Sequence, residues 1–163
     1  LVSIKRLSDV RALDISSRQF TPSGVLFSIH RRTKTNITQV FYPYFPNKPQ
    51  LCVGECLKVY EQRTADLRTS SHSQLLISFR KPHNPVSSPT LAHWVKWVMA
   101  LAGKDTFIFG AHSSRGAMAS QAFWAGSRLE DILRSADWSN DTVFRTFYCK
   151  PVVSASSVVI NML

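Results

Sequence analysis

Six of the eight prolines fall in two clusters, Pro43, Pro46 and Pro49, then Pro82, Pro85 and Pro89, and they cut the chain into three segments. A proline gives no amide hydrogen to a ladder and clashes with the preceding helical turn, so no helix or central strand crosses either cluster. Each segment must therefore find its own regular structure. The first carries strand alternation, and the last carries a helical period. That division points to an α+β chain with its strands gathered early.

Leu1, Ile4, Leu7, Val10 and Leu13 recur at a three-residue spacing that predicts one helix face over residues 1–13. No capping residue precedes Leu1, so this helix is expected to begin upstream of it. Ile15–Phe20, Val25–Arg31 and Ile37–Tyr42 read as three short strands. The turns between them are Thr21-Pro22-Ser23-Gly24 and the polar run 32–36, which places Lys34 at a hairpin tip. A helix is expected from Cys52 to Gln62, loop over 63–90 with a short strand at Leu75–Phe79, and a helix from a Thr90 cap to Leu101, closed by Gly103. The last segment is helical: Ser114–Ala125, a helix bearing Leu129, Ile132, Leu133 and Ala136, and a final one capped by Ser139 and running to Phe147. The expected fold class is α+β, mostly α-helical, with a small three-stranded antiparallel sheet at one edge. Residues 1–150 form the domain, and 151–163 are a Ser/Val-rich tail.

With 20 Lys+Arg against 10 Asp+Glu, the 163-residue chain carries a formal charge of +10. Such an excess fits a polyanionic partner, nucleic acid above all, although ribosomal and membrane-surface proteins share it. No apolar run is long enough to span a bilayer, and charge interrupts the opening LVSIKRLSDV as it would not in a signal peptide. The cysteines are Cys52, Cys56 and Cys149; the C-x3-C pair has no second pair at metal-ligand spacing. A reduced, intracellular setting without a bound metal or other cofactor is expected.

The residues with chemistry to offer are His112-Ser113-Ser114-Arg115, then Trp138 and Tyr148, together with Arg6 and Lys34. A phosphodiester has two non-bridging oxygens whose charge grows in the pentavalent transition state. Two guanidiniums grip such oxygens in bidentate fashion. His112 and the Trp138 indole N–H add donors. Lys34 is placed to protonate a departing 5′ oxygen, and Tyr148 to act as covalent nucleophile. Cationic side chains make a metal unnecessary for this chemistry. Taken singly, each residue also has an ordinary explanation as a solvated surface charge or a core aromatic.

In their order along the chain these residues resemble the tyrosine recombinases, the phage-integrase-like family, and within it the recombinases of DIRS-type retrotransposons. The matching stretches are KRLSDVRAL at 5–13, the Lys34 hairpin, KPHNPVSSPT at 81–90, AHSSRGAMAS at 111–120 and GSRLEDILRSADWSNDTVFRTFY at 126–148. The resemblance implies a mostly helical catalytic domain that cleaves and rejoins DNA through a 3′-phosphotyrosyl intermediate. It implies Arg6, Lys34, His112, Arg115, Trp138 and Tyr148 as catalytic residues, with Asp9 in support. It further implies double-stranded DNA as partner, a tetramer on DNA, no small-molecule substrate, no membrane, a mobile-element origin and action in the nucleus. Arg32, Arg128, Arg145 and Lys150 are expected to contact phosphates. The chain departs from the family pattern in two ways. It carries no N-terminal helical clamp, and Lys5 stands where a glycine often precedes the first arginine. Two competing readings keep the same residues: a DNA-binding module that has lost catalysis, and a topoisomerase-like nicking enzyme.

Overall fold

The computed structural model describes residues 4–29, 38–69 and 72–149, and the chain divides into two compact units. Among the described residues, one is formed within Leu7–Trp97, the other by 4–6 together with 98–149. The mix of helices and a three-stranded antiparallel sheet is the α+β class expected. The tail from residue 150 onward lies outside the described residues.

In the first unit, β1 (Arg18–Thr21), β2 (Gly24–Ile29) and β3 (Thr38–Pro43) pair antiparallel in the order β1-β2-β3. The register sets Val25 opposite Tyr42 and Phe27 opposite Val40. Alternation then sends Val25, Phe27, Ile29, Val40 and Tyr42 to one buried face, where they meet Leu13, Leu57 and Leu75. Burying a side chain of this kind contributes about 2 kcal/mol. The helix α2 (Val53–Thr64) supplies Leu57, and its Glu61 pairs with Arg18 on β1.

Several boundaries differ from expectation for physical reasons. The first helix, α1, is a single turn, Leu7–Arg11, rather than thirteen residues. The chain changes units between Arg6 and Leu7, and Ile4 is drawn into the core of the other unit, so the period of three cannot be realised as one helix. The first strand starts late because the Asp14 carboxylate accepts hydrogen bonds from the Ser16 amide at 2.7 Å and its hydroxyl at 2.6 Å. Those bonds fold Ile15–Ser17 into a 3-10 turn. Leu75–Phe79 is no strand: Ile77 forms an isolated bridge with Pro85, and Gln74, just before the segment, forms another with Asp14. A further helix, α3, spans Ser88–Leu101, and its cap is Ser87 rather than Thr90, the Ser87 hydroxyl accepting from the Thr90 amide at 3.2 Å. Gly103 closes it in the left-handed region, φ 70°, as its position predicted.

In the second unit α4 (Ser113–Trp124) and α5 (Leu129–Ala136) pack with a short helical segment that ends in a π-turn, Phe144–Tyr148. Ala119, Ile132 and Phe144 form the buried centre. Phe123, Leu129, Leu133, Trp138 and Tyr148 pack around it, and Ile4 joins them. The last helix reaches Tyr148 instead of stopping at Phe147, and Asp141 rather than Ser139 opens it, its carbonyl accepting from the Arg145 amide at 2.8 Å; just before it, Asn140 Oδ1 accepts from the Thr142 amide at 3.2 Å. The Cys149 amide donates to the Phe144 carbonyl at 2.7 Å, the five-residue step that defines the wide turn.

Candidate active site

α4 positions two of the expected residues. His112 is its N-cap, and the Arg115 amide donates to the His112 carbonyl at 3.1 Å, so the two side chains leave the same face one turn apart. His112 is exposed, while Arg115 is 8% exposed, an unusual place for a guanidinium. Its Nη2 donates to the Ala136 carbonyl at 2.5 Å at the end of α5. That carbonyl is one of the orphan acceptors a helix leaves at its C-terminus, and it suits a cation.

α5 stops at Asp137, which takes the left-handed conformation with φ 52° and ψ 43°. Its amide returns to the Arg134 carbonyl at 3.2 Å, and the Trp138 amide returns to the Leu133 carbonyl at 2.9 Å. This closure delivers Trp138 to the site. The guanidinium of Arg115 lies over the indole, 4.8 Å from its centroid. The ring of Tyr148 stacks on the indole at 4.7 Å and 21°. Phe144, fully buried, touches the indole too, at 5.9 Å between centroids. Arg115, Trp138 and Tyr148 therefore form one column: a fixed cation, an indole and a phenol.

Lys5 was not among the expected site residues, yet its ammonium meets Asp137 Oδ1 at 3.0 Å. The bond ties the segment bearing Arg6 to the residue next to Trp138. The substitution of Lys5 for glycine thus has a structural partner. The sequence signal was an acid placed directly after the α5 apolar stripe, where a left-handed cap is wanted. Gly116 and Ser120, also unmarked in the sequence, both approach Tyr148.

The remaining expected residues fall elsewhere. Asp9 is buried on α1 in the first unit. Lys34 and Arg32, between β2 and β3, and Lys150 lie outside the described residues. Arg128 and Arg145 are exposed, but each faces an acid: Glu130 at 3.7 Å and Asp141 at 2.6 Å. The Arg145 bond holds the Asp141 carboxyl below its usual range and raises Arg145. Among the described residues no three His, Cys, Asp or Glu side chains cluster as metal ligands would. The first unit has a polar cleft of about 790 Å³ between α1 and β1–β2, lined by none of the site residues above.

No family model matches this sequence. No curated protein matches it either. Its fold does have solved counterparts. XerA recombinase superposes with a TM-score of 0.71 at 13% identity, over 96% of this chain and 50% of that one. XerH site-specific recombinase, bound to its difH substrate before cleavage, gives 0.71 at 12% identity, over 98% of this chain and 42% of that one. The same recombinase on a palindromic difH substrate after cleavage gives 0.68 at 13%, over 88% and 38%. The fold is thus that of these recombinase structures, and the chain spans about half their length or less.

Proposed function

We propose that this chain is the catalytic domain of a tyrosine recombinase, cleaving and rejoining duplex DNA without a metal. The observation that carries the reading is the column of Arg115, Trp138 and Tyr148. It holds an immobilised guanidinium and a phenol against the same indole, the two groups that attack on a phosphodiester requires. In the reaction the deprotonated Tyr148 oxygen bonds to the scissile phosphorus, and the bond to the 5′ oxygen breaks. Lys34 supplies the proton that the leaving oxygen takes up. The product is a 3′-phosphotyrosine, and attack by a 5′ hydroxyl reverses the step and rejoins the strand. Arg6, Arg115, His112 and the Trp138 indole N–H hold the non-bridging oxygens as their charge rises. Asp9 supports the arginines. Arg32, Arg128, Arg145 and Lys150 contact flanking phosphates, with Arg145 exchanging Asp141 for DNA.

A tetramer on DNA, a nuclear place of action and a mobile-element origin of the DIRS type belong to the same proposal, and rest on the sequence motifs. Covalent trapping tests it. A nicked suicide duplex, incubated with the protein and then denatured, should yield a protein–DNA adduct that a protease removes. Absence of any adduct from a folded protein that still binds duplex DNA would leave the competing reading, a binding module. In that case binding should still weaken steeply with salt, as the charge of +10 requires.

A further inference from the structure

Gly116 is an odd choice inside α4, because glycine is among the poorest helix formers. Its reason lies across the site. A Cβ at position 116 would stand 2.8 Å from Cδ1 and 3.3 Å from Cε1 of Tyr148, closer than carbon atoms settle. Moving the ring away would disturb its stack on the Trp138 indole. One turn farther along α4, the buried Ser120 hydroxyl donates to the backbone carbonyl of Tyr148 itself. The far end of the turn is pinned as well, because Phe144 is fully buried.

We propose that Gly116 and Ser120 form a seat on α4 that positions the Tyr148 phenol, the gap at 116 admitting the ring and the hydroxyl at 120 fixing its backbone. This rests on the reading of Tyr148 as nucleophile. Arg115 and Gly116 are consecutive, so the residue that grips the phosphate and the gap that receives the phenol move as one rigid helix. The spacing between grip and nucleophile is then set by α4 rather than by the chain end that carries the tyrosine. Neither residue touches DNA in this account; both are positioning residues.

The test combines a stability cycle with single-turnover trapping on the full chain. Alanine is the better helix former, so a glycine without a seating role gives a higher urea midpoint when replaced. With the seat, Gly116→Ala lowers the midpoint when Tyr148 is present and raises it in the Tyr148→Ala background, where the ring no longer fills the gap. At saturating suicide DNA, Gly116→Ala and Ser120→Ala each slow adduct formation by about tenfold or more, while the DNA dissociation constant stays within about twofold. An equal rise in midpoint in both backgrounds, or an unchanged adduct rate in both variants, overturns the seat. If the unsubstituted chain forms an adduct that Tyr148→Phe loses and Gly116→Ala keeps, the seat falls and the recombinase reading stands. If the unsubstituted chain forms none, that reading falls, and the midpoint cycle alone decides the seat.

Discussion

Trp138 lies almost flat on Tyr148, ring centroids 4.7 Å apart and planes 21° from parallel. The phenol is thereby held by its face and not by its hydroxyl. A phenol held in this way keeps its geometry when the hydroxyl is removed, which makes the clean substitution an informative test of the proposed nucleophile.

Tyr148→Phe should keep the stack and the fold. Losing one hydroxyl costs about 1 kcal/mol or less. On the proposed reading, in which Arg and Lys contact the phosphates, duplex binding should stay within about twofold. Covalent adduct should vanish. Trapping on suicide DNA beside a binding titration checks all three, and a persistent adduct would move the nucleophile to Tyr42, Tyr44 or Tyr60.

Arg115→Ala should behave differently, because it removes both a charge and a structural bond. The Ala136 carbonyl loses its donor at 2.5 Å, and the indole loses its cation. Stability should fall by about 2 kcal/mol, and the trapping rate by on the order of 10²-fold. Arg115→Lys should recover stability only in part and trapping hardly at all, since an ammonium lacks the planar fork. Urea unfolding and the same trapping assay separate the two effects.

Phe144→Ala should be the most damaging single change in the second unit. The side chain is fully buried and touches Phe123 and Trp138. Truncation should cost about 3–5 kcal/mol, whereas Phe144→Leu should cost under about 1.5 kcal/mol. Denaturant midpoints of the two variants measure the difference; equal losses would place Phe144 outside the core.

Acid should expose the role of Asp14. Burial raises its carboxyl, but hydrogen bonds from Ser16 and from the Ser73 hydroxyl outweigh this and hold it below its ordinary value. The unfolded chain therefore takes up the proton first as pH falls. The contribution is complete above about pH 4 and is lost as pH drops through the folded value. Asp14→Asn should lower the urea midpoint at pH 6, and the gap to the unsubstituted chain should narrow below pH 4. A gap that widens in acid would reverse the sign.

The sheet was legible because Val25, Phe27 and Ile29 alternate so strictly that only one face can be buried. α5 was legible from its apolar period, and α4 from its alanine-rich run ending before Gly126. What escaped was set by contacts between residues far apart in sequence. Leu1 to Leu13 has a helical period, yet a change of unit after Arg6 leaves one turn of it. The Asp14 carboxylate that folds Ile15–Ser17 through Ser16 is also bonded by Ser73, 59 residues away. At the site, the motif order marked Arg115, Trp138 and Tyr148. Gly116 and Ser120 passed as ordinary helix residues, because their significance exists only once Tyr148 lies against α4. Lys5 had been marked as a departure from pattern, and its partner 132 residues away accounts for it.

The left-handed backbone at Asp137 has a consequence for how this sequence can drift. A positive φ admits glycine, asparagine and aspartate with ease and other residues only with strain. The ammonium of Lys5 at 3.0 Å asks for a negative charge. Aspartate alone satisfies both demands, so positions 5 and 137 form a linked pair. Descendants of this chain that lose the lysine are free to place glycine or asparagine at 137. Those that keep it hold the aspartate. Aligned relatives should show the two columns changing together, a covariation between the neighbour of Arg6 and the neighbour of Trp138 that the Lys5–Asp137 ion pair imposes.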